Sequence, residues 1–443
     1  MHDTLYYIPN ELWGMPLFGA GLLLAVWAVV CVGLTAWLVW RQGLSADTLT
    51  YLGLFALVAA AIVWVLPAVS KPRGLPIRSY GVMMLLAVSA ATGLAAWRAR
   101  RRGQDPDMIF TLLFWILIPG LIGARAFYVI EYWEKQFWPA YVGTENAPGG
   151  LGALLGAVVN IAEGGLVVYG SLIGAAVGVA IFARRHRVPL LPLGDLLAPS
   201  LMLGLAIGRI GCLLHGCCYG GLCEHPWGVT FPRGEAAAPG QSDDPLAVTS
   251  FSPPYRSQVE RGLMYGFAIP GDPDQPPVLL SVRPDSPAAA AGLEPDDLLT
   301  AVDGEPVSTS AVAHWKLEEV YENGRPLRLE LAGRGPVELA AVPVLKRSLP
   351  VHPTQIYATI NALLLCLLLL AYDPFRRRDG ELFALMISIY PVSRFLIEIL
   401  RTDESPIFGT GLKISQNVSL VLLLFAAGLW FYVLRRPRGK AWG

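Results

Sequence analysis

The chain has 443 residues, 54% of them hydrophobic and only 15% charged, with 34 Lys and Arg against 34 Asp and Glu. Its mean hydropathy of +0.49 is far above that of a soluble domain of this size. Zero net charge gives no basic field for nucleic acid, and the apolar excess points to an all-α polytopic membrane bundle.

Nine apolar segments approach the ~20 residues that cross a bilayer. They fall at 15–40, 49–69, 80–98, 108–130, 164–183, 195–215, 354–372, 381–400 and 414–434, predicting about nine transmembrane helices. Asp3 and Glu11 precede the first, which lacks a basic n-region and is too long for a signal-peptide core. Basic clusters follow the third, fifth, seventh and ninth spans: RARRR (98–102), ARRHR (183–187), FRRR (375–378) and RRPRGK (435–440). If every span crosses once, all four share one side, which places the C-terminus in the cytoplasm and the N-terminus outside. The first and third spans also match at an offset of sixty residues, Pro16, Gly33, Trp37 and Arg41 recurring as Pro76, Gly93, Trp97 and Arg101. The simplest reading is a duplicated helical hairpin.

The expected divisions are an additional N-terminal hairpin (1–75), a membrane core in two parts (76–222 and 346–443), an extracytoplasmic linker (223–261) and a small domain (262–345). In the small domain, VLLSVRPDSPAAAAGLEPDDLLTAVDGEPV alternates strand-like runs with an Ala-rich helix and a Gly turn, as an α+β fold would. This stretch resembles a PDZ domain, with Asp296 in place of a usual Gly. The resemblance implies a groove that takes a peptide ligand by β-augmentation, with Tyr265, Gly266 and Phe267 as its carboxylate-binding loop. A domain that only packs against the membrane core remains the alternative.

Ionisable residues inside spans cost ~2.5–3.5 kcal/mol each on insertion scales, so they face partners or cavities. Arg125 lies in GARAFYVIEY, Arg209 in GRIGCLLHGCCYGGLC (208–223), and Arg394, Glu398 and Arg401 in IYPVSRFLIEILRTDE. Tyr390, Arg394 and Glu398 share one helix face at i, i+4 and i+8. One reading is an Arg394–Glu398 pair that only fixes packing. The other is a guanidinium cluster for a phospholipid headgroup, because the planar fork suits phosphate oxygens.

Cys212, Cys217, Cys218 and Cys223 lack the paired C-x-x-C spacing of a structural zinc site, so no metal is expected. A disulfide from Cys223 to Cys217 or Cys218 stays open, since the segment is expected outside the cytoplasm. Gly208, Gly211, Gly216 and Gly220 suit close approach of a helix end, and His215 is either a base or a polar helix-end residue.

Four stretches in order, GARAFYVIEY, GGLVVYGSLIG (164–174), GRIGCLLHGCCYG and HPTQIY (352–357) followed by YPVSRFLIEILR (390–401), resemble bacterial prolipoprotein diacylglyceryl transferases. RSYGVMMLLA (78–87) and GLKISQNVSL (411–420) fit the family's flanking helices. The resemblance implies transfer of the diacylglyceryl group of phosphatidylglycerol to the lipobox cysteine of a preprolipoprotein, without a cofactor. It also implies a multi-pass protein of the bacterial inner membrane, among membrane lipids, with site and small domain facing the extracytoplasmic side. Carried over by motif, Arg209, Arg394, Glu398, Tyr80 and His215 form the catalytic set. Arg125, Tyr169, Gly170, Cys212, Gly220, His352, Gln355, Tyr390 and Arg401 form the substrate-binding set. Two departures matter: Tyr169 stands where the family usually carries a His, and Cys212 and Cys217 replace its usual Asn and Glu. The competing classes are a membrane protease, for which no HExxH or span-borne GxSxG is present, and a PDZ-bearing scaffold without catalysis.

Overall fold

The structure, a computed structural model, describes residues 4–43, 55–56, 58–70, 74–143, 149–160, 164–236, 248–402 and 411–442. The chain opens with β1 (Thr4–Ile8), α1 (Leu22–Gln42) and β2 (Leu75–Arg78), the strands pairing antiparallel with Tyr6 opposite Ile77. Helices α2 (Ser79–Arg101), α3 (Asp107–Glu131), α4 (Val168–Arg185) and α5 (Leu190–His215) follow. The polar segment contributes α6 (Pro253–Glu260) and α7 (Ser310–Glu322). The chain ends with α8 (Thr354–Tyr372), α9 (Glu381–Ile399) and α10 (Ile414–Arg435).

Among the described residues, seven helices are long and apolar enough to cross a membrane, namely α2 to α5 and α8 to α10. Their outward faces carry side chains such as Ile130 and Leu424, each 76% exposed, as suits a lipid solvent. The protein is therefore a polytopic membrane protein. Of the first two of the nine expected spans, the first contains α1 and the second contains the apolar helical stretch Val58–Val69; residues 44–54 and 57 lie outside the described residues. The chain before α1 pairs as short strands and turns at Gly19 (φ +71°). A Cβ at Gly21 would stand 1.9 Å from the Pro16 carbonyl oxygen, so this close approach requires glycine.

The chain divides into two compact units, the first of residues 1–85, 208–356 and 399–406, the second of 86–207, 357–398 and 407–443. In the first unit an α+β portion has its own core, including Tyr255, Tyr265, Phe267, Leu317, Tyr321 and Leu329. Strand pair β3 (Phe267–Ala268) and β4 (Ser281–Val282) accompanies a sheet of β5 (Leu299–Val302), β6 (Glu305–Pro306), β7 (Leu327–Leu331) and β8 (Pro336–Leu339). The order in that sheet is β6-β5-β7-β8, antiparallel throughout. The core starts earlier than position 262: α6, within the expected linker, contributes Tyr255 and Val259, both buried. Pro253 and Pro254 at its start supply the fixed φ of a first helical turn.

In the second unit α3 and α4 pack through glycines. A Cβ on Gly170 would lie 2.3 Å from the Gly123 oxygen, and one on Gly174 would lie 2.1 Å from the Pro119 oxygen. Small residues thus let two membrane helices approach to backbone contact. The unit also buries an ionic network from three of its helical segments. Asp195 accepts from the Gly380 and Phe383 amides (2.7 and 3.0 Å) and from Arg376 Nη1 (3.1 Å). Arg98 pairs with Asp373 at 2.8 Å, and Arg376 Nη2 donates to the Trp442 carbonyl at 2.6 Å.

Candidate active site

In the first unit the sequence 208–223 ends a helix and reverses. Helix α5 stops at His215, and Gly216 (φ +86°) and Cys218 (φ +59°) both adopt left-handed backbone. The turn is closed by Gly216 N–H and Cys217 N–H donating to the Cys212 carbonyl, at 2.9 and 3.1 Å. The HPTQIY stretch then clamps it from outside. Thr354 Oγ1 donates to the Cys218 carbonyl (2.5 Å) and Gln355 Nε2 to the Cys217 carbonyl (2.6 Å). Gly220 N–H donates to the His352 carbonyl (2.9 Å), His352 N–H donates to Gly221, and Gly220 bridges to Arg401 in antiparallel fashion. A Cβ at Gly220 would meet the His352 Cβ at 2.7 Å, so glycine is needed here for close approach. Four motif residues far apart in sequence, Gly220, His352, Gln355 and Arg401, are thereby brought to one loop.

Arg209 sits one turn before Cys212 on α5 and is half-buried, and the Tyr80 ring lies 6.0 Å from that of His215. The disulfide that the sequence left open is not formed: all six cysteines are free thiols, and Cys223 points to the His225 carbonyl at 4.0 Å. The sulfurs of Cys212, Cys217 and Cys218 lie within 4.8 Å of one another. Spacing along the chain hid this, because the helix end folds two cysteines back onto the third. The Cys218 thiol is held below the ordinary thiol range by hydrogen bonding with Cys212 and Cys217, helped by the Arg401 and Arg209 guanidiniums.

In the second unit Arg394 is gripped on two sides. It pairs with Glu398, one turn on and fully buried, and Nη2 donates to Ser415 Oγ at 3.0 Å. Tyr169 Oη reaches the same Ser415 hydroxyl at 3.4 Å, and Lys413 Nζ donates to the Glu398 carbonyl at 2.9 Å. Tyr169, Arg394 and Glu398 are thus linked through Ser415, which sequence reasoning missed although it lies in the quoted GLKISQNVSL. A short hydroxyl residue at the start of a helix carries no signal by itself. Tyr390 is placed differently from its helix-face neighbours. Its ring packs beside the apolar core around Leu365 and Met386.

Arg125 is fully engaged elsewhere. Nε donates to Val158 O (2.9 Å), Nη1 to Gly164 O and Gly165 O (3.0 and 2.9 Å), and Nη2 to Ala157 O and Asn160 O (2.6 and 2.8 Å). All five donors of a guanidinium are committed to backbone carbonyls, so Arg125 has none left for a phosphate. Gly170 serves the α3–α4 contact.

The Tyr265-Gly266-Phe267 loop turns its two aromatic rings into the core, each 1% exposed. The Tyr265 and Gly266 amides donate within the loop, to Gly262 and Leu263. Further along the strand, Ile269 N–H donates to the Arg261 carbonyl (3.1 Å), and Arg261 Nε donates back to the Ile269 carbonyl (3.0 Å). His314 Nε2 donates to the Pro270 carbonyl at 2.8 Å. The Ile269–Pro270 end of the edge on which a peptide would add as a strand is therefore already bonded within the chain. Burial pushes His314 below the ordinary imidazole range, with Arg261 adding to it and the Pro270 carbonyl and Glu260 opposing.

A family profile described as prolipoprotein diacylglyceryl transferase matches residues 67–432. A protein of Rhodopirellula baltica named phosphatidylglycerol–prolipoprotein diacylglyceryl transferase is 34% identical over 463 aligned residues, covering 96% of this chain and 87% of that protein. One of the same name from Mycobacteroides abscessus is 24% identical, covering 84% of this chain and 79% of the relative. A second such enzyme of Clostridium perfringens is 33% identical over 167 residues, or 38% of this chain and 59% of its own length.

Proposed function

Because the chain belongs to the prolipoprotein diacylglyceryl transferase family, we propose that it moves the diacylglyceryl group of phosphatidylglycerol onto the lipobox cysteine of preprolipoproteins. The substrate thiolate attacks the glyceryl carbon next to the phosphate, that C–O bond breaks, and glycerol phosphate leaves with the electron pair. Negative charge gathers on phosphate oxygens as the bond breaks, and fixed guanidiniums stabilise it without reorganising. The observation that carries this reading is Arg394, oriented inside a membrane helix by fully buried Glu398 and by Ser415.

We assign phosphate recognition to Arg394 and, on its motif position, to Arg209. Tyr80 and His215 complete the catalytic set, and Arg401, His352, Gln355, Gly220 and Cys212 shape the loop on which Arg209 borders. Arg125 and Gly170 act by holding backbone, and Tyr390 by packing. Residues 262–345 are read as a PDZ-like insertion facing the extracytoplasmic side of a bacterial inner-membrane protein with up to nine spans. A peptide partner would have to displace Arg261 and His314 from the Ile269–Pro270 edge, which supports a packing role for the insertion. Reporter fusions after 102, 187, 378 and 440 are expected to read cytoplasm, and a fusion near 300 the exterior.

The deciding experiment incubates the purified chain with phosphatidylglycerol vesicles and a lipobox peptide. A peptide gaining one diacylglyceryl group, with glycerol phosphate released, supports transfer. Peptide cleavage would favour the protease reading, and an unaltered peptide bound to the protein would favour the scaffold.

A further inference from the structure

We propose that Cys212, Cys217 and Cys218 form a three-thiolate site for a zinc-class metal ion, with the fourth position left open to an incoming thiol. Three sulfurs within 4.8 Å of one another are close to what the ion needs. Zinc–thiolate bonds of ~2.3 Å in a tetrahedron put the sulfurs about 3.8 Å apart, a change that side-chain rotation supplies. None of the three is tied up in a disulfide.

The loop is built to hold them there. The left-handed backbone of Gly216 and Cys218 folds the chain back on Cys212, and for Cys218, a residue with a Cβ, that conformation is strained. Thr354 and Gln355 pin the Cys218 and Cys217 carbonyls at 2.5 and 2.6 Å. A ligand loop fixed by outer hydrogen bonds is the usual support of a metal site. Three thiolates with a divalent ion carry a net negative charge, and Arg209, at i−3 to Cys212 on the same helix face, offsets it.

Structural zinc sites close with four protein ligands, whereas three leave a position for a reactant. Resting on the transferase reading, that reactant is the lipobox cysteine. A thiol that coordinates the ion gives its proton to solvent and stays bound as thiolate. Its sulfur lone pair then forms the bond to the glyceryl carbon, the C–O bond electrons leave with glycerol phosphate, and the neutral thioether dissociates. This supplies the deprotonation for which the family's His, replaced here by Tyr169, is missing.

The test uses the full chain, reduced, stripped with a chelator and titrated with Co²⁺ as the spectroscopic probe. One cobalt per chain with sulfur-to-metal charge-transfer absorption, displaced by Zn²⁺, is expected. Cys212→Ser, Cys217→Ser and Cys218→Ser should each weaken binding at least ~10-fold, while Cys31→Ser and Cys366→Ser keep the band. A lipobox peptide should shift the cobalt spectrum, and its Cys→Ser version should not. No band with three freely titrating thiols, or a disulfide among them in unreduced protein, overturns the site. A band unmoved by the peptide overturns the open position. Full lipid transfer after chelation defeats the metal alone, whereas a peptide-sensitive band without lipid transfer defeats the transferase reading alone.

Discussion

Arg376 and Asp195 form an ion pair buried on both sides, Nη1 to Oδ2 3.1 Å, with side-chain exposures of 2% and 0%. Asp195 also accepts two backbone amides, so its carboxylate is the node on which the turn before α9 is held. Without Asp195, Arg376 keeps Asp373 and Asp379 at 3.2 Å each, but the Gly380 and Phe383 amides lose their acceptor. Asp195→Ala should cost ~1–3 kcal/mol for each buried donor left unsatisfied, read as a lower thermal midpoint in detergent. A midpoint equal to that of the wild type would mean that the pair contributes nothing.

Arg394 is expected to dominate the chemistry of its group. Arg394→Gln should lower lipid transfer at least ~100-fold, the scale for losing a donor to developing charge. Arg394→Lys should recover only part, because an ammonium cannot reproduce the fork that spans Glu398 and Ser415. Ser415→Ala should cost up to ~10-fold through one hydrogen bond, and Tyr169→Phe less, given its 3.4 Å contact. A Tyr169→Phe loss exceeding that of Ser415→Ala would move the tyrosine into the chemistry.

Arg125 should behave as a structural residue. Arg125→Lys offers at most three donors where five carbonyls are served. Its folded yield and thermal midpoint should fall while the KM for phosphatidylglycerol in the surviving protein stays unchanged. A raised KM at unaltered stability would return Arg125 to phosphate binding.

The small α+β portion should loosen in acid. His314 is held below its ordinary value chiefly by burial, so the unfolded state binds the extra proton first. Its contribution is complete above an ordinary imidazole value of about 6.5 and is lost as pH falls from there toward the folded value. Amides of β3 and the start of α7 should exchange faster, after correction for intrinsic rates, one unit below that value than one unit above. His314→Gln should remove this pH dependence, and its persistence in the variant would exclude His314 as the cause.

Apolar runs of crossing length needed only the sequence, because the bilayer sets helix length through composition alone. The seven long spans follow from that, and the motif order placed Arg209, Arg394 and Glu398 on their helices. The strand pairing between Thr4–Ile8 and Leu75–Arg78 did not follow, since it is a contact made across some seventy positions. Nor did the role of Asp195, a single acid in an apolar run whose partners come from positions 376 to 383.

What the sequence determined by itself is local: hydrophobic periodicity, charge at span ends, and the residue types present in each motif. What only the tertiary structure decided is which of those residues meet. Arg125 carries the same guanidinium as Arg394, yet one is spent on five carbonyls and the other faces a carboxylate and a hydroxyl. Three cysteines without a zinc spacing converge because two left-handed residues turn the chain back at the end of α5. Hydrogen bonds and metal ligation act over a few ångströms in space, and separation along the chain does not report that distance.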